Sequence, residues 1–216
     1  MARLVIFDWD GTLMDSERQI VHCMQMAAHD LELVVPTYES VRHIIGLGLP
    51  EAIERLFPRH DAKTRELVRQ GYARHFVAGS GGSSDLFPGA QELLAELRDR
   101  GLLLAVATGK SRRGLDEVLH TVELKGMFDG SRTADETAGK PHPRMLHELM
   151  REFGVEPERT LMIGDTTHDL QMALNAGCAS VAVSYGAHEP GGFAELQPLA
   201  VVHSVAELQQ WLDTHA

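Results

Sequence analysis

The 216-residue chain has no run of lysine and arginine, no apolar stretch near the ~20 residues that a membrane-spanning helix needs, and only two cysteines. Each scarcity excludes a class. With 31 acidic against 20 basic side chains and a formal charge of −11, no nucleic-acid-binding or anionic-membrane-binding surface is expected. The first residues lack the basic region and apolar core of a secretory signal, so the expected compartment is the cytoplasm. Cys23 and Cys178 lie far apart and fit no metal spacing, which makes two reduced, packed thiols the default. The 12 histidines are scattered without ligand spacing, so no zinc site is read from them. There is no internal repeat and no low-complexity tail. What remains is 44% hydrophobic and 24% charged, the composition of a globular protein long enough for one sizeable core and a smaller subdomain.

The apolar run Leu4-Val5-Ile6-Phe7 reads as a strand buried on both faces, and it stops at Asp8-Trp9-Asp10-Gly11-Thr12. A buried strand thus delivers two acids to its C-terminal edge, where open parallel α/β sheets bind ligands. Asp and Gly also form ordinary turns, so this stretch gains its weight from the polar groups that end the later strands. Residues 15 to 78 read as helices without a strand, capped near Ser16 and Thr37 and broken at Gly46-Leu47-Gly48. The glycine-rich stretch 79–84 reads as a hinge. From Asp85 onward helices alternate with the apolar strands Leu102–Ala107, Thr160–Ile163, Ser180–Val183 and Leu199–Val202, the signature of a parallel sheet with crossover helices. The predicted architecture is a doubly wound α/β core, residues 1–14 and 84–216, with an inserted helical subdomain at 15–83.

Three predicted strands end at Asp8/Asp10, at Thr108-Gly109-Lys110 and at Gly164-Asp165, and a loop before a helix offers Lys140. Parallel neighbours would bring these groups to one edge of the sheet. Acids, a hydroxyl, backbone amides and an ammonium suit a phosphate ester with a divalent cation. Oxygen donors without clustered Cys or His favour a hard ion, magnesium, with Asp8 and Asp165 as the pair of ligands. A carboxylate can also attack phosphorus, and Asp8 is the candidate nucleophile. Asp10, two residues on, can protonate the leaving alkoxide and then take the proton of the attacking water. Thr108, the amides of Trp9 and Gly109, and Lys140 would stabilise the transferring group. His168, between Asp165 and Asp169, points away from either on a helix and reads as a surface or supporting residue; Lys110 reads as solvated.

Asp8-Trp9-Asp10-Gly11-Thr12-Leu13, Thr108-Gly109, Lys140-Pro141 and Gly164-Asp165-Thr166-Thr167-His168-Asp169 resemble, in order, the four motifs of the haloacid dehalogenase superfamily. The inserted helices resemble the cap of its phosphoglycolate phosphatase-like branch. The resemblance implies Asp8 as nucleophile and Asp10 as acid/base, with its main-chain carbonyl on the metal. It implies Asp165 as a magnesium ligand and Asp169 as an outer or water-mediated metal partner, with Thr108 and Lys140 on the phosphoryl group. Arg42, His43, Gly46 and Gly48 are the candidate specificity residues of the cap, with Arg55 behind them. The expected activity is magnesium-dependent hydrolysis of a small phosphorylated metabolite, phosphoglycolate-like or a sugar phosphate. Two rivals stand beside it, a phosphomutase or phosphotransferase and a non-catalytic phosphometabolite-binding protein. Monomer and homodimer are both open.

Overall fold

A computed structural model of the protein describes residues 2–79 and 85–216, and most of the expected hinge, residues 80–84, lies outside the described residues. In chain order the elements are β1 (Leu4–Phe7), β2 (Met14–Asp15), α1 (Glu17–Asp30), α2 (Tyr38–Arg42), α3 (Leu49–Leu56), α4 (Ala62–Val77), β3 (Asp85–Leu86), α5 (Ala90–Asp99) and β4 (Leu103–Thr108). There follow α6 (Arg112–Thr121), β5 (Gly130–Thr133), α7 (Arg144–Phe153), β6 (Thr160–Gly164), α8 (Thr167–Ala176), β7 (Ala179–Val183), β8 (Val201–Val202) and α9 (Val205–His215). Six strands form one parallel sheet in the order β5-β4-β1-β6-β7-β8. The expected doubly wound α/β core is therefore present.

The central strand shows why the run Leu-Val-Ile-Phe carries no polar residue. Successive side chains leave a strand on opposite faces. Val5 and Phe7 enter one apolar layer with Leu93, Leu97, Leu115 and Leu208, while Leu4 and Ile6 enter the other with Leu146, Leu149, Met172 and Ala176. β4 repeats this with Leu104 and Val106 against Ala105 and Ala107. Both faces are covered by helices, so neither tolerates a polar side chain until the strand ends. The chain steps outward from β1 to β4 and β5, then returns to β6 on the other side of β1. This reversal opens a crevice beyond the C-terminal ends of β1, β4 and β6, the usual ligand position in such sheets.

Helices α1 to α4 bury an apolar cluster of their own, including Val21, Met24, Ile45, Ile53 and Val68. The chain leaves and re-enters through an antiparallel pair, Met14 opposite Leu86 and Asp15 opposite Asp85. The sequence does not signal this pair, because two residues carry no readable period. Thr37 caps α2 through the Ser40 amide as expected. Ser16 stands at the start of α1 without capping it, since its hydroxyl is engaged elsewhere. The final strand is shorter than expected, and among the described residues no helix is long and apolar enough to cross a membrane.

Candidate active site

Asp8 lies one residue past β1, with its amide bonded to the Ile163 carbonyl of β6 at 2.9 Å. Thr108 closes β4 and Asp165 follows β6, so the sheet register itself brings Asp8, Thr108 and Asp165 to one edge. Lys140 reaches the same point from the loop before α7. Its side chain is fully buried, with Nζ 2.7 Å from Asp8 Oδ1 and 2.6 Å from Asp169 Oδ1. Oxygens of Asp8, Asp165 and Asp169, all buried, lie within 4.8 Å of one another.

Each carboxylate is held by different donors. Asp165 Oδ1 accepts from the Thr12 hydroxyl at 2.7 Å and Oδ2 from the Ala187 amide at 2.7 Å. Asp169 Oδ2 accepts from the Thr166 hydroxyl at 2.6 Å and the Thr166 amide at 3.1 Å, closing a capping box at the start of α8. Asp10 Oδ1 accepts from Ser16 Oγ at 2.6 Å and lies 3.1 Å from Lys110 Nζ. Asp8 Oδ2 is buried and accepts no hydrogen bond from the described residues. Gly11, at φ +81°, allows the turn after β1 to pass so close to Asp165 that a Cβ there would overlap its carboxylate.

Three buried acids face one buried ammonium, and the electrostatics follow from that imbalance. Burial raises the Asp8 carboxyl well above the ordinary carboxylate range, Asp169 adds to the rise, and Lys140 pulls against it. Asp165 is pushed up to about 7, by burial first and then by Asp169. Burial acts to lower Lys140, but Asp169 and Asp8 outweigh it and hold the ammonium charged. The oxygen-only donor set, the negative surplus and the open Asp8 Oδ2 fit a small hard divalent cation.

Among the sequence-predicted residues, Asp8, Asp10, Thr108 and Gly109 line one cavity of about 470 Å³ between the sheet edge and the helical unit. Trp9 turns its indole into the core, edge-on to Phe128 at 6.3 Å, which leaves its backbone to the site. Of the four cap candidates, Gly46 lines the cavity and Gly48 packs against Ala134. Arg42 and His43 are not among the lining residues. Arg42 is drawn to Glu189 at 2.7 Å and Glu17 at 3.5 Å. The His43 ring stacks on His188 with centroids 5.2 Å apart, and both His168 and His188 lie within reach of the His43 carbonyl, at 3.4 and 3.1 Å. His168 is thus half-buried in the seam between the helical unit and the sheet, where burial lowers it to about 4. Arg55 pairs with Glu51.

The Gly46-Leu47-Gly48 turn lies against the backbone at the end of β4. A Cβ on Gly109 would strike the carbonyls of Leu47 and Gly46, so that glycine is what lets the helical unit touch the end of β4. Two residues of the site escape sequence reasoning, Ser16 and Lys110. Ser16 carries the signal of a helix cap, and nothing in its letters distinguishes a hydroxyl bonded to an amide from one bonded to Asp10. Lys110 is not solvated as expected; its side chain is 10% exposed, pinned between Asp10 and the Phe76 ring, 4.9 Å from the ring centroid.

Residues 5–183 match the family described as haloacid dehalogenase-like hydrolase. A probable phosphatase, IndB, of Dickeya dadantii (strain 3937) is 37% identical over 213 residues, covering 96% of this chain and 92% of that protein. The phosphoglycolate phosphatase of Aliivibrio fischeri (strain ATCC 700601 / ES114) is 31% identical over 204 residues, covering 91% and 90%. The structure of a predicted phosphoglycolate phosphatase from Haemophilus somnus 129pt superposes with a TM-score of 0.86 over 98% of each chain; at 24% identity it speaks for the fold. Sheet order, motif placement and sequence kinship agree: the chain belongs to the haloacid dehalogenase-like hydrolase family and is an enzyme of its phosphatase kind.

Proposed function

We propose that the protein hydrolyses a small phosphate monoester in two steps through an aspartyl-phosphate on Asp8, and that residues 15–83 act as a cap over the site. The observation that carries this is the position of Asp8, which both joins the buried acid cluster and lines the cavity. In the first step an Asp8 carboxylate oxygen attacks phosphorus and the bond from phosphorus to the ester oxygen breaks. Asp10 gives its proton to the departing alkoxide. In the second step Asp10 takes a proton from water, whose oxygen attacks the phosphorus of the acyl phosphate. Inorganic phosphate leaves, and both carboxyls return to their starting states.

The Ser16 hydroxyl and the Lys110 ammonium both engage Asp10 Oδ1, fixing the carboxyl and leaving Oδ2 for the leaving oxygen. Thr108, which accepts from the Lys110 amide at 3.2 Å, sits at the start of the turn into α6, where backbone amides favour an anion. Trp9 and Gly109 amides and the Lys140 ammonium would complete a pocket for the phosphoryl anion. Asp8 and Asp165, with the Asp10 main-chain carbonyl, would hold Mg²⁺, which when bound neutralises phosphoryl charge. Asp169, bonded to Lys140 and Thr166, orients the lysine and would support the ion without ligating it directly.

Water as acceptor distinguishes this reading from a phosphomutase of the same architecture. The test is phosphate release from a panel of monoesters, including p-nitrophenyl phosphate, with magnesium or EDTA, for the parent and Asp8→Asn. Release should require magnesium and fall below about a thousandth of the parent rate in Asp8→Asn. Folded protein that releases no phosphate from any ester in magnesium refutes the reading.

A further inference from the structure

Much of the wall of the cavity is apolar. Ile20 and Met24 of α1, Ile44 and Leu49 beside the glycine turn, and Tyr72 and Phe76 of α4 form its walls. The Tyr72 and Phe76 rings lie 5.8 Å apart and within 29° of parallel, giving a continuous aromatic shelf beside the reacting end. The cations that border the space are already engaged. Lys110 serves Asp10 and rests on Phe76, Arg69 pairs in two-pronged fashion with Glu66 at 2.7 and 2.6 Å, and Arg113 pairs with Glu117. Asp135 adds negative charge to the same rim.

A second anionic group on a substrate, such as the carboxylate of phosphoglycolate, would therefore meet mainly apolar side chains and acids, and could gain Arg69 or Arg113 only by drawing it from Glu66 or Glu117. Leaving such a charge desolvated and unpaired is costly, whereas an uncharged ring would bury its faces against the shelf. At about 470 Å³ the space exceeds what a two-carbon acid fills and falls within the range of pockets for ring-sized organic ligands. Resting on the phosphatase reading above, we propose that the preferred substrates are phosphate monoesters of an uncharged, ring-bearing alcohol with an apolar face, and that Tyr72 and Phe76 set this preference by contact with the leaving group.

Benzyl phosphate, glycerol phosphate and phosphoglycolate are all esters of alcohols, so comparing kcat/KM among them isolates recognition from leaving-group lability. The parent enzyme should favour benzyl phosphate over phosphoglycolate by about tenfold or more. Phe76→Ala should lower the ratio of kcat/KM for benzyl phosphate to that for glycerol phosphate by about fivefold, mainly through KM. Phosphoglycolate turned over as well as or better than benzyl phosphate overturns the proposal, as does an unchanged ratio in a folded Phe76→Ala protein; the parent comparison decides even where the variant does not fold. Loss of turnover for every ester, p-nitrophenyl phosphate included, refutes the phosphatase reading itself, whereas turnover with the opposite preference refutes only the substrate class.

Discussion

Replacing Asp165 by Asn should stabilise the metal-free protein while abolishing its activity. Burial, with Asp169 adding to it, pushes the Asp165 carboxyl up to about 7, against an ordinary aspartate value near 4. A group whose pKa is higher folded than unfolded lends stability below its unfolded pKa and loses it as pH rises to the folded value. The window is therefore about pH 4 to 7. At about 1.4 kcal/mol per unit the full contribution is on the order of 4 kcal/mol, of which about 3 kcal/mol disappears above about pH 5. Asparagine preserves the shape and can preserve the bonds. Its carbonyl oxygen can accept from the Ala187 amide, and its amide can donate to the Thr12 hydroxyl, which rotates from donor to acceptor.

In a chain of this length 1 kcal/mol shifts Tm by ~2–4 °C, so in EDTA at about pH 7.5 Asp165→Asn should melt roughly 10 °C above the parent. The assay is a series of thermal melts from about pH 4.5 to 8, with EDTA or magnesium. The parent Tm should fall between about pH 5 and 7 in EDTA, and that fall should be shallower in the variant. Saturating magnesium should restore the parent by about 3 kcal/mol at one hundred times Kd and leave the variant little changed. A parent Tm that stays flat across that window in EDTA, or a variant that melts at or below the parent at about pH 7.5, refutes the reasoning.

Lys110→Met keeps an apolar stem near Phe76 but removes the charge beside Asp10, so kcat should fall about 10- to 100-fold with Tm within about 2 °C of the parent. Steady-state kinetics beside thermal melts check it, and an unchanged kcat refutes a positioning role for Lys110. Gly109→Ala should push the Gly46-Leu47 turn away from β4, lowering kcat/KM about tenfold or more and costing about 1–3 kcal/mol of stability. A variant with parent kinetics and parent Tm would show that the close contact does not matter to the working enzyme.

Much of the site is legible in the sequence because the sheet imposes it. A strand such as Leu4–Phe7, buried on both faces, can carry polar residues only where it ends, so Asp8, Thr108 and Asp165 had to emerge at strand termini. Parallel pairing then placed those termini side by side. The helices between residues 15 and 78 and between the later strands are legible as well. The β2–β3 pair is not, since two residues show no period, and neither is the role of Ser16, whose hydroxyl can either accept from a helix amide or donate to a carboxylate.

The sequence by itself determined the α/β core, the acids at its edge and the presence of Lys140 among the site's groups. These depend on local pattern, on burial and on the number of charges. The pairing of that lysine with Asp8 and Asp169 came from the fold. Only the tertiary structure decided which cap side chains line the cavity. Arg42 and His43 look like specificity groups in the letters, yet three glutamates draw Arg42 aside and His188 holds the His43 ring in the seam. Tyr72 and Phe76, an ordinary apolar pair one helical turn apart, instead face the cavity. Periodicity tells which face of a helix is apolar, but whether that face closes a core or lines an open space depends on the placement of the helix above the sheet, which rests on contacts as remote in sequence as Gly109 against Gly46 and Leu47.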